Sequence, residues 1–175
     1  ELAFWIIEET TGLTRGQVLT NCHEKHIPNL TDIIEQIKCH TPVQYVFGTT
    51  QWMGLRLQVT PATLIPRPET AELVEWIIAT NDNNAPLSIV DIGTGSGCIA
   101  IALKQRCPIW QIRGVDISSD ALEVAKKNAL HNQVDSIWEE LDILSKKPES
   151  TDIIVSNPPY ICHKEKKHMD ARVLD

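Results

Sequence analysis

Leu87-Ser88-Ile89-Val90-Asp91-Ile92-Gly93-Thr94-Gly95-Ser96-Gly97-Cys98 is the stretch whose reading decides the fold. The apolar run Leu87 to Val90 has the length of a buried strand, three glycines alternate behind it, and Ile99 to Gln105 reads as a helix. A strand, a glycine turn and a helix in this order form the first half of a βαβ unit. Glycine is needed where the backbone takes positive φ or lets a ligand come close, and a helix start presents N–H groups with no partner inside the helix. Gly93, Gly95 and Gly97 are spaced as GxGxG. The dinucleotide fingerprint GxGxxG needs glycine or alanine where Cys98 stands, so a pyrophosphate cradle is disfavoured.

The elements that follow repeat the pattern. Trp110 to Val115 reads as the next strand and ends on Asp116, whose carboxylate can accept both hydroxyls of a ribose. The same aspartate can serve as a turn residue before the helix Ser119 to His131, a role that Ser118 or Ser119 fills equally well. Ser136 to Leu141 reads as a third strand ending on Asp142, which can accept from an adenine amino group or simply open a loop. Ile153-Ile154-Val155 reads as a fourth, interior parallel strand, stopped by the prolines of Asn157-Pro158-Pro159-Tyr160. Alternating β and α elements imply a doubly wound, Rossmann-like α/β sheet, and ligands of such sheets bind at the carboxyl edge of the strands.

Asn157 offers a carbonyl acceptor and an amide donor, while the prolines lack N–H and leave their neighbours' carbonyls as acceptors in a stiff frame. Two such acceptors can hold both hydrogens of one NH2 group and turn its nitrogen outward toward an electrophile. Tyr160 can supply an aromatic wall. An isolated Asn-Pro or Pro-Pro pair is more often a plain turn. The glycine loop on a neighbouring strand is what makes this one a candidate site.

Together these residues carry a resemblance. The chain resembles the HemK/PrmC family of protein-(glutamine-N5) methyltransferases, through the glycine loop, Asp116, Asp142, Asn157-Pro158-Pro159-Tyr160, Pro42-Val43-Gln44-Tyr45-Val46-Phe47-Gly48 and Leu64-Ile65-Pro66-Arg67-Pro68-Glu69-Thr70. The tetrapeptide also occurs in methyltransferases acting on amino groups of nucleic-acid bases, and the Pro-Arg-Pro-Glu-Thr segment narrows the choice. The resemblance implies S-adenosylmethionine as cofactor and class I peptide chain release factors as substrate, methylated on the glutamine of their Gly-Gly-Gln loop. It places the cofactor against Gly93, Thr94, Gly95, Ser96 and Gly97, with its ribose on Asp116, its adenine between Asp142 and Ile143, and Asn157 beside it. Family members often carry an aromatic residue at the position of Ile143, so apolar contact replaces stacking there. Asn157, Pro158 and Tyr160 are the implied catalytic residues, and Pro159, Arg67 and Thr70 join them in binding substrate. The alternatives are amino-nitrogen methylation of a ribosomal protein glutamine or of a nucleic-acid base, and a cofactor-binding but inactive fragment. The third arises because the family's sheet has seven strands and this sequence carries four of them, so it reads as truncated at the carboxyl end.

Residues 1–41 read as a small helical domain, with helices over Leu2 to Glu9, Thr14 to Asn21 and Leu30 to His40. Residues 42–66 read as a β-hairpin linker, built on Val43 to Phe47 and on Leu55, Leu57 and Val59 alternating with Arg56 and Gln58. A helix over Glu69 to Thr80 opens the methyltransferase domain, residues 67–175. The resemblance gives the helical domain the task of gripping the release factor. A net charge of −7 disfavours a stable nucleic-acid complex, and no apolar run is long enough to span a membrane. The five cysteines are odd in number with no CxxC pair, which argues against a disulfide framework and a zinc site and for a reducing, cytoplasmic setting. His163 and His168 lie in a charged segment with no triad context.

Overall fold

The computed structural model describes residues 2–20 and 27–158. The chain divides into two compact units, Glu1–Phe47 and Gly48–Asp175.

The first unit is helical: α1 (Leu2–Thr11), α2 (Arg15–Thr20), α3 (Leu30–Lys38) and α4 (Val43–Phe47). Helix α2 opens with a capping pair, in which Thr14 N–H donates to Gln17 Oε1 at 3.0 Å and Gln17 N–H returns to Thr14 Oγ1 at 3.4 Å. Asn21, the predicted end of that helix, lies outside the described residues. Helix α3 ends as Cys39 N–H bonds Glu35 O and His40 takes φ 64°. Val43 to Phe47, expected as a hairpin strand, is a single helical turn. Pro42 accounts for the difference: its carbonyl accepts from Tyr45 N–H and Val46 N–H, and proline at a helix start is preorganised for the turn that follows. A five-residue apolar run carries no period that separates strand from helix. Gly48, at φ 68°, then releases the chain into the second unit.

That unit begins with the hairpin β1 (Thr49–Trp52) and β2 (Leu55–Gln58), so the hairpin stands within the expected linker but starts after Phe47. Its two-residue turn, Met53 and Gly54, has φ 49° and 79°, as the twist of a tight hairpin demands. Then come α5 (Thr70–Thr80), β3 (Ser88–Ile92), α6 (Cys98–Arg106), β4 (Gln111–Asp116), α7 (Ser119–His131), β5 (Ile137–Glu140) and β6 (Ile153–Ser156). The four later strands form one parallel sheet in the order β5-β4-β3-β6. Alternation sends Ile89, Ile112 and Val155 to one face, where Val74 and Ile77 of α5, Ile99 to Leu103 of α6 and Ala129 of α7 bury them. The opposite face carries a smaller cluster, Val90, Val115 and Leu141 with Ile92 against them, while Ile137 and Ile154 stand exposed.

Two packing devices fix the loops above this sheet. Gly114 on β4 lies opposite Trp138 of β5, and a Cβ there would come within 2.6 Å of the indole and 2.9 Å of Thr94 Oγ1. Glycine within a strand thus admits the Trp138 ring beneath the glycine loop. Asn128 of α7 is fully buried and every polar atom of its carboxamide is used. Its Nδ2 donates to Gln58 O and to Ser96 O, each at 2.9 Å, and its Oδ1 accepts from Gln58 N–H at 2.6 Å. One side chain therefore joins the hairpin, the glycine loop and α7. Asn128→Ala strands backbone groups of Gln58 and Ser96 in a dry site, and urea unfolding is expected to show a loss of about 2–4 kcal/mol.

Candidate active site

Strand β3 is the topological switch point of the sheet, since α6 leads from it to β4 on one side while β6 pairs on the other. A crevice opens at the carboxyl ends of strands at such a point. The glycine loop leaves β3 there, Asp116 closes β4 beside it, Asp142 follows β5, and Asn157 follows β6. The parallel ladder alone brings these four segments, far apart in sequence, to one edge.

Within the loop the glycines have two different tasks. Gly93, Gly95 and Gly97 all take positive φ, at 68°, 55° and 79°. A Cβ on Gly93 meets nothing, and one on Gly95 meets only a backbone oxygen at 4.0 Å, so the surface above them is open to a ligand. A Cβ on Gly97 would stand 2.9 Å from Trp138 and 3.1 Å from Ala125, so this glycine serves helix packing. Four of the loop's N–H groups are committed inside the fold: Gly93 and Thr94 donate to Val115 O, Gly97 to Thr94 O, and Gly95 to Asp116 Oδ2 at 2.9 Å. A phosphate cradle needs such donors turned outward, and this loop offers a smooth surface in their place. Thr94 and Ser96, both expected against a cofactor, are buried, with Thr94 Oγ1 donating to Asp91 Oδ2 at 2.6 Å and Ser96 O held by Asn128.

Three carboxylates lie at or beneath this edge of the sheet. Asp116 accepts from Gly95 N–H through Oδ2 and from Ser118 N–H through Oδ1, so each oxygen keeps one lone-pair site for a diol. Ser118 is the N-cap of α7, accepting from Ala121 N–H at 3.2 Å, which leaves Asp116 unneeded for that role. Asp142 uses Oδ1 to hold Leu144 N–H at 2.9 Å, and so does cap a turn, with Ile143 exposed beside it. Asp91, quoted in the sequence motif but given no role there, lies fully buried beneath the loop. Burial pushes its carboxyl up to about 6, partly opposed by the Thr94 hydroxyl and the Ala100 N–H and reinforced by the negative charge of Asp116. Its Oδ1 bonds nothing among the described residues. The acidic groups beside and beneath the loop, and the inward turn of four of its N–H groups, suit a ligand with cationic character and a diol better than a polyphosphate.

Asn157 Nδ2 donates to Thr70 Oγ1 at 2.9 Å, so the structure joins two of the expected substrate residues directly. Thr70 begins α5 and is buried, which turns its hydroxyl toward Asn157 and away from solvent. Arg67 is exposed, and its carbonyl accepts from Trp52 Nε1–H at 2.9 Å. Pro158 directly follows Asn157, while Pro159 and Tyr160 lie outside the described residues. Sequence reasoning gave no role to Trp138, whose only signal was the unexplained glycine opposite it at 114. It also passed over Ile117, an exposed apolar residue immediately after Asp116 at the same edge.

Residues 72–174, more than half of the chain, match the methyltransferase small domain family. The chain belongs to that family. This methyltransferase-family chain is 47% identical over 148 residues to the release factor glutamine methyltransferase of Flavobacterium psychrophilum, covering 82% of this chain and 52% of that protein. It is 44% identical over 151 residues to the protein of the same name from Lactococcus lactis, covering 86% and 56%. The resemblance carried by the motifs is therefore borne out, and the chain spans about half the length of the curated relatives it matches. Among solved structures, a tRNA (uracil-54, C5)-methyltransferase from Pyrococcus abyssi, in complex with S-adenosyl-L-homocysteine, superposes with a TM-score of 0.53 at 19% identity, over 72% of this chain and 30% of that one. That likeness shows the Rossmann-like methyltransferase fold. Among the described residues no helix is long and apolar enough to cross a membrane, and no group of three or more His, Cys, Asp or Glu could hold a metal ion.

The raised carboxyl of Asp91 has a measurable consequence. With a native value above the unfolded one, the folded state holds the proton more tightly, and stability from this group falls as pH rises from about 4 to about 6. The exposed carboxylates Glu75, Glu123, Glu149 and Asp152, all shifted downward, act in the opposite sense in wild type and variant alike. The unfolding free energy of wild type minus that of Asp91→Asn is therefore expected to drop by on the order of 3 kcal/mol between pH 4 and pH 7. Urea titrations across that range check it, and a pH-independent difference would place Asp91 in a wetter setting.

Proposed function

We propose that this site transfers a methyl group from S-adenosylmethionine to the side-chain amide N5 of the glutamine in the Gly-Gly-Gln loop of class I peptide chain release factors. The observation that carries the reading is the adjacency of an open glycine cradle after β3 and an oriented asparagine carboxamide after β6, on hydrogen-bonded neighbouring strands. The relatives' names supply the substrate class, and the neutral acceptors of Asn157-Pro158 suit an uncharged NH2 group.

The cofactor contributes a methyl on a sulfonium, which departs as a neutral thioether and so needs no acid. Gly93 and Gly95 give its methionine portion close approach, Asp116 takes the ribose hydroxyls, and Asp142, Ile143 and Ile117 border the adenine. The buried charge of Asp91 and the partly buried charge of Asp116 favour its cationic character. An amide nitrogen is a weak nucleophile because its lone pair is delocalised into the carbonyl. Asn157 Oδ1 and the Pro158 carbonyl accept from its two N–H groups, which aligns the nitrogen for in-line attack and stabilises the positive charge developing on it. The nitrogen then loses one proton to water, and no general base is required of the protein. Pro159, Tyr160 and Arg67 contribute to binding the substrate, and the helical unit Glu1–Phe47 grips the release factor. Such a substrate places the reaction in the cytoplasm.

Mass spectrometry of a purified class I release factor, incubated with S-adenosylmethionine and the complete protein, tests the proposal. One added methyl is expected on the Gly-Gly-Gln glutamine. Asn157→Ala is expected to lower the rate by about 100-fold or more while cofactor binding holds. Asp116→Ala is expected to weaken cofactor binding by roughly 10- to 150-fold, the worth of a charge-assisted hydrogen bond of about 1.5–3 kcal/mol. Equal loss of cofactor affinity in both variants would defeat the division of roles, and methylation of a base or of a ribosomal protein in preference to the release factor would defeat the substrate.

A further inference from the structure

We infer that Thr70 is a positioning residue that sets which atom of the Asn157 carboxamide faces the substrate. The inference rests on the reading of Asn157 as the acceptor for the target amide. A carboxamide is nearly symmetric in shape but opposite in chemistry at its two ends: with Oδ1 outward it holds an NH2 group, and with Nδ2 outward it repels one. Rotation by 180° about the last side-chain bond exchanges these states with little change in packing. A threonine hydroxyl can accept from Nδ2 or donate to Oδ1, and here it accepts: the bond from Asn157 Nδ2 to Thr70 Oγ1 at 2.9 Å draws the amide nitrogen inward and leaves Oδ1 outward.

Thr70 is itself held to make that choice. Its hydroxyl is buried in the first turn of α5, and its N–H donates to Arg67 O at 3.1 Å. The same carbonyl accepts from Trp52 Nε1–H at 2.9 Å, and Trp52 is a buried residue of β1. The hairpin thus pins the carbonyl, the carbonyl pins the start of α5, and the threonine at that start pins the asparagine 87 positions further on. This account removes Thr70 from direct contact with substrate and gives the Pro-Arg-Pro-Glu-Thr segment a mechanical purpose. The two prolines limit the backbone freedom of the segment that presents the hydroxyl.

The test uses the complete protein with Thr70→Val, which keeps the side-chain shape and removes the hydroxyl, and Thr70→Ser, which restores it. With release factor as substrate, Thr70→Val is expected to lower kcat about tenfold, the effect of losing one orienting hydrogen bond. Cofactor affinity by calorimetry is expected to stay within about twofold, since Asp116 and the glycine loop are untouched, and Thr70→Ser is expected to recover most of the lost rate. A second readout needs no activity: in wild type the two Asn157 Nδ2 protons are expected to differ in solvent exchange by roughly tenfold, because one is bonded inside, and this difference is expected to vanish in Thr70→Val. If Thr70→Val keeps the wild-type kcat while Asn157→Ala is inactive, Asn157 retains its role and Thr70 has none. If both Nδ2 protons of the wild type exchange alike, the orientation is wrong whatever the activity. A wild-type protein that methylates no release factor overturns the substrate reading, and in that case the proton measurement alone decides the role of Thr70.

Discussion

Everything at the site depends on β3 pairing on both of its edges. Ile89 to Ile92 lie in register with Ile112 to Val115 on one side and with Ile153 to Ser156 on the other, all running the same way. Parallel pairing cannot be closed by a tight turn, so each neighbour is reached through a crossover, and every strand delivers its carboxyl end to the same edge. The glycine loop, Asp116 and Asn157 need no direct attraction for one another to meet. Their meeting is a by-product of burying one apolar sheet face under α5, α6 and α7. What side chains add is fine placement, through Asp116 on Gly95, Asn128 on Ser96 and Thr70 on Asn157.

Of those placements, Asn128 is the one in which a buried polar group is fully satisfied by the backbone it holds still. Asn128 completes three hydrogen bonds in a site with no exposure. In such a site a partly satisfied amide would cost more than an apolar side chain, so the junction is committed to one geometry. Asp91 departs from that rule. Among the described residues it keeps one oxygen unpartnered, Thr94 and the Ala100 N–H stabilise its charge in part, and burial raises its proton affinity directly below the cradle. Unsatisfied groups of this kind cluster where a ligand is to be held.

The sheet was legible in the sequence because β3 and β6 are short, mostly β-branched runs and three of the strands end at residues with known punctuation: glycines after Ile92, an aspartate after Val115, prolines after Asn157. Helix α7 was legible from Ser118 and a period of apolar positions. The segment Val43 to Phe47 was misread because its five apolar-rich residues satisfy both patterns, and only the hydrogen bonds of the Pro42 carbonyl decide between them. At the site, the residue types that face the crevice were legible, since Gly93, Gly95, Asp116 and Asn157 each offer chemistry that packing does not need. The supports were less so. Asn128 in a helix, Trp138 in a strand and Thr70 at a helix start are each unremarkable in their local setting. Their roles arise from contacts across 32, 24 and 87 residues, pairings that local sequence reasoning has no means to see.

The distribution of charge around the site carries the argument one step further. On the β4 side of the switch point stands Asp116, with the buried Asp91 on β3 itself beneath the loop, whose Gly93, Thr94, Gly95 and Gly97 N–H groups turn inward. On the β6 side stands Asn157, whose partner is the neutral hydroxyl of Thr70. One half of the crevice is therefore suited to a cation and the other to an uncharged donor. The proposed transfer of a methyl from a sulfonium to an amide would use that polarity: positive charge would start beside Asp116 and move to nitrogen on the β6 side, where neutral acceptors would receive it. A carboxylate in place of Asn157 would stabilise that charge more strongly. It would also bind any ammonium in preference to an amide, so under the proposed reaction a neutral side chain would exchange some rate for selectivity.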